Sequence, residues 1–151
     1  MRPAPLSDWP AWTAPADSFS PGPGPQGVAH ALGWLEALAE RHGWPARLQF
    51  ALTLCADEAL VNIATHARPR APGQALRLRL ECGPTAHGVA LVIEDDGAPF
   101  DPTAQELPAL AASLDEAHPG GHGLRLMRHY LRQMLYRRDG GRNLLLLELP
   151  A

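Results

Sequence analysis

In "DEALVNIATHA", residues 57–67, Glu58, Asn62 and His66 recur at four-residue steps among Ala, Leu, Val and Ile. At about 100° per residue, Leu48, Ala51, Cys55 and Ala59 define one helix face, and the three polar residues fall within or beside it. Asp57 points to the opposite side and reads as a solvated charge. Glu58 stands where a carboxylate is costly unless it has a partner or a task. A plainer arrangement fits the same residues: Glu58 and Asn62 sit at the edge of the core, reach water and solubilise the helix. His66 reads as a hydrogen-bonded packing residue rather than a ligand.

A second constellation is "IEDDGAPFD", residues 93–101. A carboxylate followed two residues later by Gly at a strand's exit can accept from an exocyclic amino group, while the bare Gly backbone admits a flat ring. Asp95 and Gly97 have that spacing. Taken alone, the same residues are better accounted for by a simple Asp-Gly turn with Asp96 exposed. The third is "PGGHGLRLM", residues 119–127, where Gly120, Gly121 and Gly123 lead into an apolar-periodic segment. Such an entry presents unblocked N–H groups to an anion at a helix N-terminus, although glycine loops are common. His118 and His122 have a metal-like separation, but Pro119 and two glycines interrupt any helix between them, and no further ligand is nearby; a zinc site is rejected.

These residues need a scaffold, and composition bounds it. The chain has 151 residues, 46% of them hydrophobic, which suits one domain with a core of its own. The longest apolar runs, "VALVI" (89–93) and "LLLL" (144–147), fall far short of the ~20 residues of a membrane span. Arg2 is followed by no apolar signal core, so the expected location is the cytoplasm, with no membrane contact. Cys55 and Cys82 occupy apolar settings and read as buried thiols. The formal charge of −3 argues against a general polyanion binder and against direct nucleic-acid binding, although arginines crowd toward the end of the chain. There is no lysine, which eliminates a phosphate loop ending in Gly-Lys-Ser/Thr.

Residues 1–27 are Pro-rich and close with "SPGPGPQG", which resists helix and central strand; they read as an arm. "DSFS" within it is a candidate edge strand. Helical spacing runs from Val28 to His42 and is stopped by Gly43, Trp44 and Pro45; Pro45 opens a second helix to about Ala67. "ALRLRLEC" alternates as a strand with one wet face, and "VALVIEDD" returns as a more deeply buried one. Residues 97–122 have little strong periodicity, and about 99–122 form a candidate lid. "GLRLMRHYLRQM" then reads as a helix and "LYRRDGGRNLLLLELP" as a closing hairpin. Helices on one face of a strand meander make an α+β two-layer sandwich, with residues 28–151 as the domain.

In that order, the three motifs resemble the Bergerat-fold ATP-binding superfamily, and within it the small bacterial anti-sigma-factor serine kinases. The resemblance covers about residues 16–149 and includes "GGRNLLLLEL" as the last hairpin. It implies a mixed, mostly antiparallel sheet, ATP and Mg²⁺ as cofactors, and roles by position. Asn62 matches the Mg²⁺-binding asparagine, Glu58 the general base, and Asp95 the adenine-binding aspartate with Gly97 beside the ring. Gly121, His122, Gly123 and Leu124 match the second glycine box, with His122 where an Arg is frequent. An amide oxygen is a reasonable hard ligand for Mg²⁺, and a carboxylate one turn away can take a hydroxyl's proton as a phosphoryl group moves.

The implied function is an ATP-dependent protein serine/threonine kinase that also sequesters a sigma factor. Its phosphoryl acceptor would be an anti-sigma-factor antagonist, and a homodimer is the implied assembly. The alternative is a nucleotide-dependent protein-binding module of the same fold without phosphotransfer. The catalytic portion of a histidine kinase is disfavoured, because the arm before Val28 is too short for a phosphoacceptor hairpin.

Overall fold

The computed structural model describes residues 9–104 and 127–151. A short strand β1 (Asp17–Phe19) precedes two helices, α1 (Gly24–His42) and α2 (Ala46–His66). The hairpin β2 (Leu78–Thr85) and β3 (Gly88–Asp95) follows, and the hairpin β4 (Gln133–Asp139) and β5 (Arg142–Pro150) closes the chain. The sheet order is β1-β2-β3-β5-β4. All four described ladders are antiparallel, so the expectation of a mixed sheet is corrected to an antiparallel one among the described residues.

The helices cover one face of this sheet. Leu35 and Leu38 of α1, and Leu52, Cys55, Leu60 and Ile63 of α2, are buried against Leu80, Leu91, Ile93, Leu145 and Leu147. The other face explains why the central strands read as continuous apolar runs rather than alternating ones. There Ala90, Val92 and Leu146 are buried beneath Trp9 and Trp12 of the N-terminal arm. The arm is tied down by the amide of Thr13, which donates to the Pro84 carbonyl at 3.0 Å, and by the Arg137 guanidinium over the Trp9 ring at 5.1 Å. Phe19 stacks on Trp34 of α1 at 5.4 Å.

Boundaries differ from the sequence reading where a local signal was outvoted. α1 begins at Gly24, not Val28, because Pro25 falls in the first turn, where its missing N–H has no helical partner to lose. β2 runs from Leu78 to Thr85 instead of 75–82. At its start Asp96 engages the Arg77 backbone on both sides: the Arg77 amide donates to Asp96 Oδ1 at 2.9 Å, and the Asp96 amide donates to the Arg77 carbonyl at 3.3 Å. At its end the ladder continues through Gly83↔Ala90 and Pro84↔Val89, leaving only Ala86 and His87 as the turn. Residues 127–130 are helical, but the helix expected through Met134 gives way to β4 at Gln133.

Glu148 accounts for that early switch. It is 3% exposed on the arm-covered side of β5 and accepts from Arg132 Nη1 at 2.7 Å and Gln133 Nε2 at 2.9 Å. The Arg132 amide donates to the Glu148 carbonyl at 2.7 Å. Burial pushes this carboxyl up, yet hydrogen bonds from Thr85, Arg132 and Gln133 together outweigh it and hold the group below its ordinary range. A carboxylate with a lowered native pKa binds fewer protons folded than unfolded, so its contribution is present above the usual carboxylate range and is lost as pH falls through the native value. Glu148→Gln is therefore expected to destabilise the fold near neutrality by ~1–3 kcal/mol. In urea titrations repeated from neutral to acidic pH, the gap between wild type and variant is expected to close with acidification. A gap independent of pH would show that the charge is immaterial.

Candidate functional site

The candidate site forms where the C-terminal end of α2 meets the C-terminal end of β3. The amide of Ala98 donates to the Arg68 carbonyl, just beyond α2, at 2.8 Å. His66 is exposed and stacks on Phe100 with centroids 5.8 Å apart, so its role is a ring contact rather than the hydrogen-bonded packing expected of it. These contacts set residues 66–68 of the helix exit against residues 97–100 of the strand exit.

On α2, Glu58 and Asn62 are half-buried, one turn apart, on the flank of a face whose centre is Cys55, Ala59 and Ile63. Burial raises the Glu58 carboxyl above its ordinary value, and the neighbouring Asp57 charge adds to the rise. Both cysteines are free and buried; burial pushes the Cys55 thiol up to about 12, with Glu58 adding to the shift. A thiol so placed is not a nucleophile.

Asp95 is 2% exposed at the end of β3. Burial is the largest influence on its carboxyl and raises it, opposed by hydrogen bonds from Asn143 and Gly97 and by the Arg138 charge. Among the described residues, both donors reach the same oxygen: the Gly97 amide and Asn143 Nδ2 each lie 2.9 Å from Oδ1. The second oxygen is left to accept from elsewhere. Gly97 has no room for a side chain, since a Cβ there would lie 2.7 Å from Leu76 Cδ2 and 2.8 Å from the Arg68 carbonyl oxygen. This close approach, rather than a positive φ, is what the glycine provides.

Asn143, Tyr136 and Arg138 were not singled out in the sequence, yet they hold this corner together. Asn143 is 3% exposed, directly opposite Asp95 in the β3–β5 ladder. Its Nδ2 also donates to the Ala98 carbonyl at 2.8 Å, and its Oδ1 accepts from Tyr136 Oη at 2.5 Å, Arg138 Nη1 at 3.1 Å and the Phe100 amide at 3.3 Å. Arg138 Nη1 donates to the Gly97 carbonyl at 2.7 Å. The available signal was the lone Asn within "GGRNLLLLEL", a polar residue at the head of a buried strand. Gly121, His122, Gly123 and Leu124 lie outside the described residues, as does the candidate lid beyond Ala104. Within its described part, Asp101 Oδ1 accepts from the Thr103 amide at 2.8 Å, heading a short 3-10 helix (Pro102–Ala104). No cluster of metal-ligating side chains occurs among the described residues, and no described helix is long and apolar enough to cross a membrane.

The fold is thus a two-helix layer on an antiparallel sheet, with a buried Asp-x-Gly at a strand exit beside the end of a polar-flanked helix, an α+β sandwich. Residues 23–149 match the histidine kinase-like ATPase domain, and the chain belongs to that family. It is also 54% identical over 117 residues to the serine/threonine-protein kinase BtrW of Bordetella bronchiseptica, a match covering 77% of this chain and 81% of the relative.

Asn143→Ala is expected to strip partners from Asp95, Ala98, Phe100, Tyr136 and Arg138 together. Leaving buried polar groups unsatisfied costs ~1–3 kcal/mol each where water cannot reach them, so a loss of at least ~2 kcal/mol is expected. The urea midpoint checks this, and a shift no larger than that of an exposed substitution would contradict the network.

Proposed function

We propose that this chain is an ATP-dependent protein serine/threonine kinase acting as an anti-sigma factor in partner switching. The observation that carries the reading is the pairing of 54% identity to a serine/threonine-protein kinase with a buried Asp95 that keeps one oxygen unclaimed among the described residues. In this reading Asp95 accepts from the adenine amino group, with Gly97 beside the ring. The donor set suits the cofactors: Asn62 supplies an amide oxygen, a hard ligand for Mg²⁺, on the helix flank one turn from Glu58. Bound ATP supplies the transferable γ-phosphoryl group.

Glu58 takes the proton of the attacking serine or threonine hydroxyl. Its raised carboxyl suits that task, because a base whose pKa lies nearer the working pH transfers protons more effectively. Gly121, His122, Gly123 and Leu124 complete phosphate recognition, and the segment at about 99–122 closes over it. The acceptor is an anti-sigma-factor antagonist, and the second partner is a sigma factor held by a homodimer of this chain. A new phosphoserine adds ~1.5–2 negative charges beside the nucleotide, and the repulsion favours release of the product.

Two variants test the assignment. Asp95→Asn replaces an acceptor by a group able to present a donor, and calorimetry with ATP and Mg²⁺ is expected to show a loss of at least ~1–3 kcal/mol. Unchanged affinity would remove Asp95 from base recognition. Glu58→Gln is expected to keep nucleotide binding while phosphotransfer from labelled ATP to a candidate antagonist slows by ~10²–10⁴-fold. A wild type that binds nucleotide but labels no acceptor would favour a binding module of the same fold instead.

A further inference from the structure

The sheet has an unfinished edge. β1 pairs only Asp17–Phe19 with β2, and its last residue, Phe19, lies opposite Leu80. Pro21 and Pro23 follow almost at once; lacking N–H groups, they cannot extend the ladder. Among the described residues, Leu78 and Arg79 therefore have no strand partner on that side. Beside them opens a cleft of about 680 Å³, walled by Ser20, Pro21 and Pro23 on one side and by the stretch from Ala75 to Arg79 on the other.

Four exposed arginines line this cleft: Arg70, Arg77, Arg79 and Arg142. Arg142 is matched by Glu94 at 2.7 Å, and Arg79 is paired with Glu81. Arg70 Nε donates to the Asp96 carbonyl at 3.1 Å, a bond that leaves its charge uncompensated. The Arg77 side chain has neither a hydrogen bond nor an ion pair among the described residues. Glu94, Asp95 and Asp96 also line the cleft, Asp95 at its buried end. Among the described residues Arg70 and Arg77 thus have no ion-pair partner, although the Asp95 and Asp96 carboxylates lie in the same cleft.

We propose that this cleft docks an extended acidic segment of a protein partner, added as a strand to the free edge of β2. Strand addition takes affinity from main-chain hydrogen bonds and specificity from alternate side chains. In the extended direction of β2, Arg77 and Arg79 fall on one side and Leu76 and Leu78 on the other. The complementary segment therefore alternates Glu or Asp with apolar residues. A nucleic-acid backbone fits less well, because Glu94 and Asp96 would stand against its unbroken run of phosphates. The cleft shares Asp95 with the nucleotide-binding reading but draws its strand pairing from the edge of β2, so binding is tested without nucleotide.

The probe is a fluorescent synthetic peptide of alternating Glu and Val, with binding followed by anisotropy in the absence of nucleotide. Binding is expected to weaken with salt, and to fall by about tenfold or more in the exposed double variant Arg77→Glu/Arg79→Glu, since like charges then face each other across the contact. Equal affinity in wild type and in a variant whose circular dichroism is native would overturn the proposal. Two further probes leave the protein untouched. A peptide N-methylated on every amide has no main-chain donor to offer a strand edge and is expected not to bind; a Lys-Val peptide is expected not to bind either. Undiminished binding of either peptide, or a single-stranded oligonucleotide that binds more tightly than the Glu-Val peptide, would also overturn it.

Discussion

A carboxylate at the end of a strand covered on both faces can persist only if donors meet it there, and the Asp95–Asn143 cross-strand pair supplies that condition. Because the two residues are register partners, the donor is delivered by the β3–β5 ladder rather than by a loop. Everything that shapes the corner then follows from one amide. Its nitrogen fixes Asp95 and the Ala98 carbonyl, and its oxygen gathers Tyr136, Arg138 and the Phe100 amide. The geometry of residues 95–100 is thereby tied to β4 and β5, nearly fifty residues later in the chain.

That arrangement requires the sheet to be closed to water on its second side as well. Trp9 and Trp12 perform this from the arm, covering Ala90, Val92 and Leu146. Large rings over small and branched residues remove much apolar area with few ordered side chains, at roughly 25 cal/mol for each Å². Glu148 is the polar counterpart on the same side. It is enclosed there, and it takes its donors from the segment that leads into β4, so the arm-covered face also fixes where the last helix ends.

The sequence carried the architecture wherever periodicity was strong. Gly43, Trp44 and Pro45 marked the break between α1 and α2, and the alternation of Leu78, Leu80 and Cys82 against Arg79 and Glu81 marked β2 and its inner face. It also placed Glu58 and Asn62 on the flank of the packing face. It was blind to interactions between distant segments. Nothing local announces that Asp96 will claim the Arg77 backbone, that Glu148 will take Arg132 and Gln133 out of a helical pattern, or that Asn143 will meet Asp95. Pro25 misled for the opposite reason: it was read as a breaker, while its position in the first turn makes it harmless.

α2 carries its packing face and a half-buried polar flank side by side. Its centre is built from Cys55, Ala59 and Ile63, and the small side chains at 55 and 59 let the helix sit close on the sheet. A full burial of Glu58 in that setting would neutralise it, while full exposure would leave it an ordinary solvated acid. Half-burial raises its proton affinity and keeps a path to solvent. The like charge of Asp57 pushes in the same direction without entering the core, and Glu58 in turn adds to the upward shift that burial imposes on the Cys55 thiol. A helix that were only structural would gain stability from an apolar residue at position 58. In the kinase reading proposed above, the carboxylate set one turn before the carboxamide of Asn62 is the group given a chemical task.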